Sequence, residues 1–266
     1  FFFPNFPKLD KYFQPRQFDP GHYKVVKKGG KTQLVNRFTV GLTRSQKEVT
    51  LEITKSVGPA PNPLRYERGI SRKLAGVKYA GYTQFTSLEL IGSSIKTKDQ
   101  MGLWNLVQMP NGGDLLVPTY AKTKPKIYFG NIPARDLIAK GQLVRYKMRA
   151  PGEQKIGIRA IATAGRVGYI YPTGKHWALI IRNFTVNPSG EYVDVPWKDT
   201  GYLGYSTQAC NVNSGLGHFS ELEYHIPAIG GGTGRTRCDD TAQVWAFRGS
   251  KAQIRFIAKT LLSPSV

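Results

Sequence analysis

Cysteine is nearly missing from this chain, with only Cys210 and Cys238 among 266 residues. Neither sits in a Cys-x-x-Cys pair or at ligand spacing from a histidine, which argues against a zinc module and leaves no metal site to expect. A single disulfide between them stays open at this level, and it would imply an oxidising compartment. No stretch approaches the roughly eighteen consecutive apolar residues of a membrane-spanning helix, so no membrane span is expected. The glycine run Gly230-Gly231-Gly232-Thr233-Gly234-Arg235 lacks the Gly-Lys-Ser/Thr ending and the following helix of a phosphate cradle. Zinc-finger, RNP, helix-turn-helix and KH signatures are absent, and no repeat of fixed period is visible. No cofactor is implied.

Acidic residues are also scarce, 17 against 38 Lys/Arg, giving a formal charge of +21 and a pI near 10. Such a surface attracts polyanions without selecting one. The imbalance is regional. Lys24 to Lys78 holds 13 basic and 3 acidic residues, and Lys122 to Arg159 holds 10 and 2. From Asn187 to Ile229 the sign reverses, with Glu191, Asp194, Asp199, Glu221 and Glu223 facing only Lys198. An acidic macromolecule, or an acidic polysaccharide among other carbohydrates, is therefore a natural partner for the basic regions, while the acidic island is a separate feature.

That island contains the most informative stretch, Gly217 to Ile229. Read with period two, Glu221, Glu223 and His225 share one face of a strand, and Leu222, Tyr224 and Ile226 share the other. Two carboxyls and an imidazole on one face can share protons, because like charges raise a carboxyl pKa and a nearby carboxylate holds a proton on histidine. Glu223, Glu221 and His225 are thus the candidate catalytic residues; the plainer reading is a solvated or cation-paired strand face. Trp104 and Gln108 fall on one parity of another strand and suit stacking on, and hydrogen bonding to, a sugar. His176 and Trp177, at a hairpin tip, are further candidates for ligand contact.

Most of the chain reads as strand. Lys24-Val25-Val26 and Gln33 to Leu42 flank a Gly29-Gly30 turn, and Val49, Leu51 and Ile53 alternate with polar residues. Strands are also expected over Val77–Leu90, on both sides of Pro110-Asn111-Gly112-Gly113, and over Ile156–Thr163, Val167–Tyr171, Trp177–Val186, Thr241–Phe247 and Gln253–Leu261. Pro133 to Lys140 is the one expected helix, with Gly141 as its C-cap. Asn183-Phe184-Thr185 has the form of a glycosylation sequon but lies in an apolar run. Residues 1–22, rich in Phe and Pro, read as an extended arm that docks on its own domain or on a partner chain. Phe1 to Pro7 is too short and too proline-broken for a signal peptide, so the chain reads as a mature or trimmed product, with an extracytoplasmic compartment favoured. The expected architecture is an all-β, large antiparallel β-sandwich over residues 23–266 with one short helix.

The ordered set Leu103-Trp104-Asn105-Leu106, Val117-Pro118-Thr119, Tyr128-Phe129-Gly130, Lys155-Ile156-Gly157-Ile158 and Phe219-Ser220-Glu221-Leu222-Glu223 with Pro227-Ala228 resembles an uncharacterised bacterial family of the galactose-mutarotase-like fold, over about residues 75–262. The resemblance implies a β-supersandwich with a carbohydrate-facing surface. In sugar mutarotases of that fold a late glutamate before a proline is the general base, a role that falls on Glu223, and a histidine is the general acid. Where such enzymes carry that histidine, this chain has Met101-Gly102-Leu103-Trp104-Asn105-Leu106. Three functions follow: a carbohydrate-binding or structural protein without catalysis, an aldose epimerase with a rearranged acid, and a basic subunit of a larger assembly, ribonucleoprotein or extracellular.

Overall fold

The structure is a computed structural model and describes residues 14–42, 47–92, 100–193 and 203–266. In chain order the strands are β1 (Lys24–Lys28), β2 (Lys31–Leu42), β3 (Lys47–Pro59), β4 (Lys78–Ile91), β5 (Gln100–Met101), β6 (Trp104–Pro110), β7 (Asp114–Pro118), β8 (Lys126–Phe129), β9 (Leu137–Lys140), β10 (Leu143–Lys147), β11 (Gly152–Arg159), β12 (Arg166–Thr173), β13 (His176–Asn183), β14 (Tyr205–Ser214), β15 (Gly217–His225), β16 (Ile229–Gly230) and β17 (Arg237–Gly249), followed by helix α1 (Lys251–Leu261). Ten of them form one sheet in the order β1-β2-β3-β4-β17-β13-β12-β7-β10-β9, and five form a second in the order β6-β15-β14-β11-β8. All pairings between these strands are antiparallel.

The expected all-β, antiparallel architecture is thus what the chain adopts. Inward-facing residues of both sheets meet in one core: Leu115, Val117, Val144, Tyr146 and Tyr169 from the larger, Ile156, Ile158, Ala209, Leu222 and Tyr224 from the smaller. Alternation along each strand makes this possible, since every second side chain points into the gap. Arg182 reaches across that gap from β13, donating to the carbonyls of Asn105 and Leu222 at 3.0 Å each, and its guanidinium lies 4.5 Å from the Tyr224 ring.

Two elements differ from the sequence reading, and each difference has a local cause. Pro133 to Lys140 is not a helix. The Asp136 amide closes a tight turn onto the Pro133 carbonyl at 2.8 Å, and Leu137–Lys140 then pairs with Leu143–Tyr146 as an edge strand. Gly141, with φ of 60°, serves the hairpin turn rather than a helix cap. Conversely, Gln253–Leu261 is helical. Ser250 and Gln253 form a reciprocal capping box, and Ile254, Ile257 and Ala258 recur at helical spacing and are fully buried against the outer face of the large sheet. Burying the two isoleucines contributes about 1.5–3 kcal/mol each.

The first thirteen residues of the expected arm lie outside the described residues. Residues 14–22 dock on their own domain: Gln17–Gly21 make one wide helical turn, Phe18 packs on Phe38 at 5.7 Å, and Asn36 Nδ2 donates to the Gln17 carbonyl. No helix of the described residues is long and apolar enough to cross a membrane.

Candidate functional site: a buried carboxyl pair

The site is built on the small sheet, on the face turned away from the shared core. Register sets one row directly across four strands: Gln108 on β6, Glu221 on β15, Cys210 on β14 and Lys155 on β11. The neighbouring row holds Leu106, Glu223 and Gln208, and the next pairs Trp104 with His225. Side chains on adjacent rows are within diagonal reach, so long ones converge on a single point. That point is Glu223.

Glu223 is 0 % exposed. Its Oε2 accepts from Lys155 Nζ at 2.8 Å and from Trp104 Nε1 at 2.6 Å, whereas Oε1 is buried without a hydrogen-bond partner. The Lys155 ammonium also lies 5.1 Å from the Trp104 ring centre, and His225 stacks on the other part of this wall, 6.5 Å from Trp104 with the rings 13° apart. A buried ion pair of this kind is held by geometry and extra hydrogen bonds rather than by charge attraction alone. Glu221 stands one row out, half-buried, accepting from Gln108 Nε2 at 3.1 Å.

The charges set the proton inventory. Burial, and then the neighbouring Glu223 carboxylate, push the Glu221 carboxyl up to about 7, with Gln108 and Lys155 pulling the other way. Burial holds His225 well below its ordinary range, reinforced by the Lys155 charge, so its imidazole is neutral at pH 7 and is not an acid there. Burial also pushes the Cys210 thiol up, and Glu223 adds to the effect. Two carboxyls facing one ammonium therefore keep a proton near neutrality at Glu221.

Cys210 Sγ and one oxygen each of Glu221 and Glu223 lie within 4.8 Å of one another, a donor set that a divalent cation can use. Lys155 already supplies a positive charge to the Glu223 carboxylate, and metal ligation requires the thiolate that this environment opposes. The fit is therefore poor.

The sequence-predicted residues divide into three places. Glu221, Glu223, His225, Trp104 and Gln108 come together as described. Trp177 lies on the outer face of the large sheet, and His176 beside it is exposed at the start of β13. Cys210 and Cys238 do not pair; both are free thiols, on strands of different sheets. Lys155 was missed as a partner. Its signal was a lone cation in the apolar run Ile156-Gly157-Ile158, on a strand that buries five consecutive residues.

Beside this wall opens a cleft of about 230 Å3, bounded by the inner face of β3 and β4 and by the start of β6. Tyr23 and Trp104 supply aromatic surface, and Gln14, Lys55, Thr86 and Asn105 supply polar ends. Asn105 Oδ1 takes a long contact from Gln84 Nε2 at 3.5 Å, but Asn105 Nδ2 is buried with no acceptor.

Fold and site together define an antiparallel β-sandwich protein with a closed carboxyl pair and an aromatic-lined cleft next to it. The chain belongs to DUF6786, a family of unknown function, which matches it over residues 1–266. No curated protein matches it.

Proposed function

We propose that the protein binds carbohydrate without catalysing its conversion, and that the cleft between Tyr23 and Trp104 is the sugar seat. The carrying observation is the lining of the cleft, where the aromatic side chains of Phe18, Tyr23 and Trp104 stand beside the polar side chains of Gln14, Lys55, Thr86 and Asn105. Sugar recognition needs that combination, a flat apolar surface for the C–H face of the ring and fixed polar groups for its hydroxyls.

Glu223 carries the non-catalytic part of this reading. A general base must come within hydrogen-bond reach of the proton it removes. Here the carboxylate in the family-like position is shut off from solvent and already engaged by Lys155 and Trp104, while the neighbouring His225 is neutral. The resemblance to mutarotase-like proteins supports a sugar as the ligand class.

Titration with a panel of neutral mono- and oligosaccharides tests this reading. Saturable binding is expected that falls about tenfold or more in Asn105→Ala and in Tyr23→Ala, as expected when hydrogen-bonding and stacking groups are removed. Anomer exchange of a simple aldose should run at the uncatalysed rate. Accelerated exchange that disappears in Glu223→Gln sinks the non-catalytic part, and no saturable binding to any neutral sugar sinks the cleft.

A further inference from the structure

A second recess lies on the outer face of the large sheet, where β7, β10, β12 and β13 run under the start of α1. It encloses about 310 Å3, with an apolar floor of Leu116, Leu143 and Ile170 and a wall of Trp177. Four cations line it, Arg145, Arg149, Lys251 and Arg255, against one acidic side chain, Asp114. We propose that this recess binds a tetrahedral oxyanion carried on a sugar ring, a sulfate or phosphate ester of a saccharide.

Asp114 is buried, and its two oxygens hold different arginines. Arg145 donates from Nε to Oδ2 at 3.0 Å and from its terminal nitrogen to the same oxygen, and Arg149 donates to Oδ1. A guanidinium has five N–H bonds in a fixed plane, and these contacts engage two on Arg145 and one on Arg149. Both arginines are therefore oriented by one carboxylate while keeping donors for a second anion. This is the arrangement in which arginine recognises sulfate and phosphate, with the ordering cost met before the ligand arrives.

Charge count points the same way. Among the side chains that line the recess, four are cationic and one is acidic. Lys251 and Arg255 lie one helical turn apart on α1 and add two cations to the pair that Asp114 holds. Lys251 Nζ rests 4.7 Å from the centre of the Trp177 ring, which keeps an ammonium at the aromatic wall. A bare inorganic ion would use the cations and leave the indole and the aliphatic floor unused. A sugar ester uses both. The recess holds a ring or two, which is too small for a nucleic-acid duplex and leaves the basic strands β1 and β2 to non-selective attraction.

Isothermal titration at about 150 mM salt, where surface attraction is screened, provides the test. The probes are a sulfated dextran oligosaccharide, its phosphorylated counterpart, unmodified dextran and an oligothymidylate of matched charge. One or both esters should bind saturably and shift Trp177 fluorescence, and the tighter ester identifies the anion. The double variant Lys251→Ala/Arg255→Ala, which leaves the Asp114 contacts intact, should weaken that binding about tenfold or more, as loss of charged hydrogen bonds implies. A control variant, Lys24→Ala/Lys27→Ala/Lys28→Ala on the fully exposed strand β1, should change it by less than about twofold, since those charges are screened. Equal losses in the two variants, equal binding of unmodified dextran, or tighter binding of the oligothymidylate overturns the proposal. Because unmodified dextran is neutral and the Tyr23–Trp104 cleft is untouched by these variants, failure here is distinguishable from failure of the neutral-sugar reading.

Discussion

The Glu223 wall and the Asp114 recess are assembled from the same parts. Each has a buried carboxylate, a cation bound to it, and a tryptophan with a lysine ammonium near its ring, Lys155 on Trp104 and Lys251 on Trp177. They differ in stoichiometry and in access. At Glu223 two carboxyls share one ammonium behind a closed surface, so the charge left over is negative and is settled by a proton. At Asp114 one carboxylate holds two of the four cationic side chains of an open recess, so the side-chain charge left over is positive and is settled by whatever anion arrives. The same side chains thus make a closed proton-holding cluster in one place and an open anion seat in the other.

The largest expected effect separates the two by burial. Lys155→Met should cost about 3–5 kcal/mol, because it leaves the fully buried Glu223 charge without its counterion. The double variant Lys155→Met/Glu223→Leu should recover most of that loss, since replacing a whole buried pair with apolar groups is close to neutral. Urea unfolding measures both. A single-variant loss below about 1 kcal/mol means that the pair behaves like a surface salt bridge, and the contrast with Asp114 disappears.

How much of this was readable in the residues depends on range. The alternation that puts Glu221, Glu223 and His225 on one face of β15 and Leu222 and Tyr224 on the other is local, and it held. That both faces would be buried was not readable, because Lys155 and Trp104 approach from strands separated from Glu223 by 68 and 119 positions. The helix α1 was readable through Ser250-x-x-Gln253 and the spacing of Ile254, Ile257 and Ala258, but its short apolar run also fits a strand. Pro133–Lys140 went the other way: local propensity favoured helix, and pairing with β10 overrode it. The Asp114 recess draws on four separate stretches of chain with no shared motif, so only Trp177 stood out in advance.

A smaller effect sharpens the comparison through pH. Glu221 holds its proton up to about 7, whereas in the unfolded chain the same carboxyl releases it near the ordinary value of 4.5. Between those values the native state binds more protons, so this group makes stability fall as pH rises from about 4.5 through 7. His225 acts in the opposite sense. Its folded pKa lies below the ordinary 6.5, so the unfolded chain binds the extra proton and stability falls as pH drops below that value. Glu221→Gln removes the first slope and keeps the second. The variant should therefore be more stable than the parent at pH 8, and its stability should only climb between pH 5 and 7, with midpoints read by urea unfolding at each pH. An unchanged pH profile means that Glu221 does not carry the shared proton.

The smallest expected effect tests the open site. Arg145 and Arg149 are about half exposed, with side-chain accessibilities of 43 % and 49 %, so their pairs with Asp114 are screened on one side. Asp114→Asn should accordingly cost roughly 1 kcal/mol or less in thermal unfolding, far less than breaking the pair at Glu223. The same substitution loosens the carboxylate that orients both guanidiniums. Sulfated or phosphorylated saccharide should then bind several-fold more weakly than to the parent, because the arginines must be ordered at the moment of binding. Unchanged or tighter binding to Asp114→Asn means that the recess attracts anions by surplus charge alone, and the orientation of the arginines by Asp114 plays no part.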